Sequence, residues 1–194
     1  MARQFCSWQQ RWDDPRREYR TLYCAEQPET CLAEVLADLR PNTTMLTELA
    51  ELMVESPELL EAAGIVAPGW RQAHVLQAAR PLLRGELADV EDLRLRANLE
   101  RHHAALLAAH GMDHLNISEI RSRTRTVTQT IGRHLYDDGY AGVAFISNID
   151  GRPCFALFEG RAELQPIGEP LPMTDDLPIL SVVCVQLGLR LLAT

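Results

Sequence analysis

One domain that mixes strands with helices is the class this sequence predicts, on three observations. Three apolar runs of strand length, Tyr19 to Ala25, Ala141 to Ser147 and Cys154 to Glu159, are bounded by turn residues. Three other stretches, 30–40, 92–109 and 124–136, repeat apolar residues at helical spacing. A chain of 194 residues at 46% hydrophobic suffices for one ordinary core, and no composition shift marks a second domain.

The elements follow in chain order. Pro28 and Glu29 end the first strand, and Pro28 suits a first helical turn because its missing N–H would find no intrahelical partner there. In the helix that follows, Cys31, Val35 and Leu39 share a face, with Leu32 and Leu36 beside them; Glu34 falls at the border of that stripe, where a carboxylate would be partly buried. Thr43 to Leu60 reads as helix, capped by Thr43 or Thr44, and Gly64 to Gly69 is a break. Arg80-Pro81 argues against a continuous helix over Arg71 to Leu87, and Leu87 to Asp92 fits either an edge strand or a helix cap. Asp92 to Ala109 is predicted as one helix ending at Gly111, Asn116 to Ile120 as a short extended piece, and Thr124 to Tyr136 as a helix with Val127, Ile131 and Leu135 four apart. The next two strands are joined through Asn148-Ile-Asp-Gly-Arg-Pro153, whose Asp-Gly suits the positive backbone angles of a hairpin turn. Ile179 to Leu192 is apolar enough for a core strand or a helix.

Composition narrows the function. A formal net charge of −8, with the acids dispersed, disfavours a protein that works by neutralising nucleic-acid phosphates. Five scattered cysteines without a Cys-x-x-Cys pair read as buried thiols of a reducing cytoplasm, and no apolar run approaches the ~18 residues of a membrane span. Neither a Gly-x-Gly-x-x-Gly nor a P-loop occurs, and Ser147 lies outside any Gly-x-Ser-x-Gly turn, so the usual dinucleotide fold and a nucleophilic serine hydrolase are both disfavoured.

The candidate residues are few. Arg11 opens Arg-Trp-Asp-Asp-Pro in a segment that also holds Arg16, Arg17 and Arg20. A guanidinium suits an oxygen-rich pyrophosphate, and a solvated salt-bridging segment is the plain alternative. Tyr23 is either core or a stacking platform, with Tyr19 as the second aromatic. Glu34 is either a solvated helix residue or a carboxylate set against developing positive charge. Ser147 and Asn148, at a strand end, either donate hydrogen bonds to a ligand or initiate the turn. No metal site is expected. His102 and His103, adjacent on a helix, should point apart, Gly111 separates His110 from His114, and His134 fits a core edge or a pocket face.

Three blocks, Gln10-Arg-Trp-Asp-Asp-Pro with Tyr19-Arg-Thr-Leu-Tyr-Cys-Ala, Glu29-Thr-Cys-Leu-Ala-Glu-Val-Leu, and Thr128-Gln-Thr-Ile-Gly through Gly139-Tyr-Ala-Gly-Val-Ala-Phe-Ile-Ser, in that order, resemble the RES family. The resemblance implies a compact α+β fold like that of ADP-ribosyltransferase toxins; the chain reads as a single domain over 1–194 whose mostly helical insertion at about 41–123 departs from the compact toxins in its length. Arg11, Glu34 and Ser147 match the three naming residues and Tyr23 the aromatic that follows the arginine block. It also implies a cytoplasmic bacterial toxin that takes NAD as substrate, needs no prosthetic group and is held by an antitoxin. In that role Arg11 holds phosphate, Tyr23 or Tyr19 packs the nicotinamide, Glu34 steadies the ribosyl cation, and Ser147 with Asn148 orients ribose, all converging on one cleft. A protein target of ADP-ribosylation and a homo-oligomer are compatible with it. The alternative is a non-catalytic module of the same fold that acts through protein contacts.

Overall fold

Strand β1 (Thr21–Ala25) leads into α1 (Pro28–Leu36), which begins with its proline in the first turn and tightens into a 3-10 turn over Ala37–Leu39. There follow β2 (Ile65–Val66), α2 (Pro68–Gln72), β3 (Val75–Leu76), β4 (Ala79–Leu83), β5 (Leu87–Asp89), α3 (Leu93–His102), α4 (Ala104–Ala109), α5 (Ile117–Arg121) and α6 (Arg125–Asp137). The chain closes with β6 (Gly142–Ile146), β7 (Pro153–Phe158), β8 (Ala162–Pro166), β9 (Leu171–Pro172), α7 (Pro178–Leu187) and β10 (Arg190–Leu191). This computed structural model describes residues 8–41, 44, 47, 64–121 and 125–192. The α+β class is therefore the observed one. The helix expected over Thr43 to Leu60 lies outside the described residues, Thr44 and Thr47 excepted.

Two compact units divide the chain, Met1–Glu26 with Arg80–Gln165 and Gln27–Ala79 with Pro166–Thr194. The first is built on a four-stranded sheet of order β1-β7-β6-β5. Strand β7 pairs antiparallel with β1, Tyr23 facing Ala156, and with β6, Phe145 facing Cys154; β5 joins β6 in parallel. Gly142 is where that sheet tolerates no side chain, since an added Cβ would stand 2.4 Å from the Ala156 carbonyl oxygen. Helix α6 covers this core with Val127, Ile131 and Leu135, the four-residue repeat of the sequence, joined by Trp12, Tyr19, Val90, Leu99, Val143 and Phe158. Burying each such side chain is worth ~1.5–3 kcal/mol, which makes this cluster the main source of the unit's stability.

Three elements of this unit differ from the sequence reading. The helix expected over 92–109 breaks at His103, whose φ of −104° and ψ of 20° leave the helical region, so α3 and α4 are separate. Asn116 to Ile120 closes a helical turn instead of extending: the Ile120 N–H donates to the Asn116 carbonyl at 3.1 Å, and Ile117 and Ile120, three apart, fit a helix as well as a strand. Leu87 to Asp92 satisfies both alternatives, with β5 first and Asp92 then capping α3, its Oδ1 accepting from the N–H groups of Arg94 and Leu95 at 2.7 and 2.9 Å.

In the second unit α1 packs on α7, β2 pairs in parallel with β10, and β3 pairs antiparallel with β9. The buried face of α1 is Thr30, Leu32, Ala33 and Leu36, not the expected Cys31, Val35 and Leu39 stripe. Leu32 and Leu36, expected beside that stripe, are the four-residue pair the helix buries; Cys31 and Val35 lie off that face of the same helix, and Leu39 falls in the 3-10 turn beyond its end. The apolar tail holds a helix and then a short strand. Gly188, at φ 67°, takes the left-handed position that ends α7, and the Leu189 N–H returns to the Cys184 carbonyl at 2.8 Å. Of the cysteines, Cys24 and Cys31 are half-buried, Cys154 and Cys184 are buried, and Cys6 lies outside the described residues. No described helix is long and apolar enough to cross a membrane.

Candidate functional site

The first unit gathers most of the residues singled out in the sequence. The turn that carries Arg11 is held from below by Tyr23 on β1: the Trp12 N–H donates to the Tyr23 hydroxyl oxygen at 2.8 Å, and that hydroxyl donates to Asp13 Oδ1 at 3.3 Å. The other Asp13 oxygen accepts the Gln10 N–H at 2.8 Å, closing the turn. From the side, Arg125 and Gln129 at the start of α6 donate to the carbonyls of Gln9 and Gln10. Asp13 and Asp14 are both buried, the second accepting the N–H groups of Arg16 and Glu18 and standing 3.6 Å from Arg133. Burial pushes the Asp13 carboxyl above its ordinary value in spite of the hydrogen bonds from Gln10 and Tyr23 that favour its charge. Burial and the charge of Asp13 likewise push the Tyr23 phenol upward.

Held in this way, Arg11 reaches the end of α5. Its guanidinium donates to the carbonyls of Ile120 and Arg121, the latter at 3.1 Å, where the last carbonyls of a helix welcome a cation. Asn148 arrives at the same place from the β6–β7 turn, its side-chain amide donating to the Arg121 carbonyl at 3.2 Å. Ser147 precedes it, 2% exposed, with its Oγ accepting the N–H groups of Ile149 and Asp150 at 3.0 and 3.4 Å. The serine thus shapes the turn that aims Asn148. Arg11 and Asn148 are brought onto one carbonyl, with Ser147 beside them.

The aromatics separate. Tyr23 is partly buried, with its hydroxyl engaged as above. Tyr19 is a correction to the sequence reading, in which it stood as a second platform for a ligand ring. Its ring stacks on Tyr136 at 3.8 Å, meets Phe158 edge-on at 5.2 Å, and is 3% exposed, so it belongs to the core. The basic segment separates too: Arg16 and Arg17 are exposed and Arg20 pairs with Glu159, leaving Arg11 as the one of the four aimed at the α5 end.

Glu34 is in the second unit, on α1, and it is exposed rather than half-buried, because the helix buries the face of Leu32, Ala33 and Leu36 and Glu34 lies off that face. Its charge is felt at Cys31, one turn earlier, whose thiol is pushed up first by burial and then by that carboxylate.

The sequence reading missed Asp13, Arg125, Gln129 and the carbonyl of Arg121. Two acids ahead of a proline in an arginine-rich segment were the available sign for Asp13. It also missed the approach of three histidines: the rings of His102 and His103 lie 4.9 Å apart, and His134 lies 4.0 and 4.9 Å from them. The expected divergence of neighbouring helix residues fails because His103 is the residue at which the helix breaks. Burial and the two neighbouring rings hold His103 down to about 4.

The profile of the RES domain matches residues 6–176 of this chain. No curated protein and no solved structure matches it.

Proposed function

The chain belongs to the RES domain family, which is associated with NAD-related toxin–antitoxin systems, and from that membership we propose that it consumes NAD by cleaving the bond between nicotinamide and ribose. The observation that supports this most is the pairing of Arg11 with the Ser147–Asn148 turn at the end of α5. A permanently charged fork and a side-chain amide, fixed on one carbonyl, suit a ligand that carries both a pyrophosphate and ribose hydroxyls.

As the C1′–N bond breaks, its electron pair goes to the nicotinamide nitrogen and positive charge builds on the ribose. Water or a protein nucleophile then forms the new bond to C1′ and releases its proton. The family pattern assigns the stabilising carboxylate to Glu34. A carboxylate acts here only insofar as it meets the cation better than it meets the ground state, and an exposed one, as Glu34 is, gains most once bound NAD excludes water. Arg11 contributes phosphate binding, Tyr23 the aromatic edge for nicotinamide, and Asn148 a hydrogen bond to ribose, with Ser147 holding the turn. NAD is substrate, and the reaction calls for no prosthetic group. A protein antitoxin in a bacterial cytoplasm completes the reading; Val182 and Val185, a turn apart on α7 and 50% and 79% exposed, offer apolar surface of the kind a protein partner covers.

The test is incubation of the purified chain with NAD, alone and with cell extract, following free nicotinamide, free ADP-ribose and protein-linked ADP-ribose. Nicotinamide release is expected with extract whichever acceptor is used, and without extract where water is the acceptor. Free ADP-ribose without extract identifies water as the acceptor, and label on protein with extract identifies transfer. Absence of nicotinamide from both arms returns the chain to a non-catalytic module acting through protein contacts.

A further inference from the structure

We infer that His102, His103 and His134 form a binding site for one divalent transition cation of the zinc type, with Asp138 orienting His134. The three side chains belong to the first unit and come from two places in it. His102 is the last residue of α3, His103 the break between α3 and α4, and His134 lies on α6. One ligand atom from each lies within 4.8 Å of the others. A tetrahedral site with bonds of ~2.1 Å places its ligand atoms roughly 3.4 Å apart, so closing on a cation takes about an ångström of side-chain movement, which the exposed His102 can supply.

Two further observations point to a ligand rather than to chance crowding. The Nε2 of His103 is buried and has no hydrogen-bond partner among the described residues, an arrangement that leaves a buried polar atom unpaid unless something coordinates it. His134 Nε2 stands 3.2 Å from an Asp138 oxygen, one turn further along α6. A proton held between those two leaves Nδ1 with its lone pair, and a carboxylate on the far nitrogen is the usual support of a metal-bound imidazole. Nitrogen ligands without carboxylate or carbonyl oxygens in the inner set select zinc, copper, nickel or cobalt over magnesium or calcium. Three protein ligands leave a position for water. The cation would tie the α3–α4 break to α6, the helix whose start clamps the Arg11 turn. This proposal does not depend on NAD chemistry.

The experiment uses the full-length, tag-free, metal-stripped protein, titrated with Zn2+ by calorimetry and followed by thermal melting. Cobalt absorption serves as the geometric readout. One equivalent of Zn2+ is expected to bind and to raise the melting temperature, and bound Co2+ is expected to show the intense visible bands of four-coordination. His102→Ala and His134→Ala should each weaken Zn2+ binding at least tenfold, Asp138→Asn about tenfold, and His114→Ala not at all. The exposed His102 variant keeps the test valid even if the more buried His103→Ala variant fails to fold. Binding of no zinc, or binding that is undiminished in His102→Ala and His134→Ala, overturns the site.

Discussion

Tyr23 shows how one side chain can serve the fold and a ligand with different parts. Its hydroxyl satisfies a main-chain N–H and a buried carboxylate, while its ring is the part the proposed function uses. Tyr23→Phe keeps the ring and strands both partners, so it should cost ~1–3 kcal/mol of stability, seen as a lower urea midpoint at unchanged slope, with NAD turnover retained. Asp13 gives a pH signature. Its folded-state value is raised above the ordinary 3.8, so its contribution is most favourable below that pH, declines as pH rises through the raised value, and is constant beyond it. Asp13→Asn removes this titration. The stability of the parent minus that of the variant should therefore fall with rising pH across that window and then level off; a difference that does not change with pH would contradict the account. Of the residues that meet near the end of α5, Arg11, Ser147 and Asn148 were legible as candidates in the sequence because motif order and turn chemistry mark them. Asp13 was not, because nothing local distinguishes a buried acid from a solvated one. Tyr19 and Tyr23 are four apart in sequence, and only tertiary packing decides that the first gives both its face and its edge to the core.

At the scale of elements, helix and strand periodicity located most of the chain. On α1 the stripe of Cys31 and Val35 was read in place of the Leu32 and Leu36 pair beside it, and the 92–109 helix was read across His103, where the backbone changes state. That point carries no Gly or Pro, the usual punctuation. The change of state is also what turns His103 toward His102. Asp92, by contrast, was readable as a cap, and Asp92→Ala should cost ~0.5–2 kcal/mol in chemical denaturation through loss of the two N–H bonds at the start of α3. Gly142→Ala probes the sheet. A Cβ 2.4 Å from the Ala156 oxygen and 3.0 Å from Leu157 Cα forces β6 and β7 apart, at ~1–3 kcal/mol, with a melting temperature lowered accordingly.

For the whole molecule, family membership was legible because it rests on the order of short blocks spread over 6–176, which no single motif conveys. The division into two units was not, because each unit is assembled from two separate stretches of chain and no composition shift marks the joins at Glu26, Ala79 and Gln165. Of the residues named in the proposed function, Arg11, Tyr23, Ser147 and Asn148 lie in the first unit, and Glu34 lies in the second. The central claim of the proposed function is chemical: a carboxylate lowers the barrier to forming a ribosyl cation from NAD. The most direct measurement is the rate of nicotinamide release from NAD by the purified parent and by Glu34→Gln, with unfolding midpoints taken on the same preparations. The account predicts release by the parent, a fall in kcat on the order of 10²–10³-fold in the variant, and an unfolding midpoint that barely moves because Glu34 is exposed. Parental release by Glu34→Gln, or no release by the parent, would contradict it.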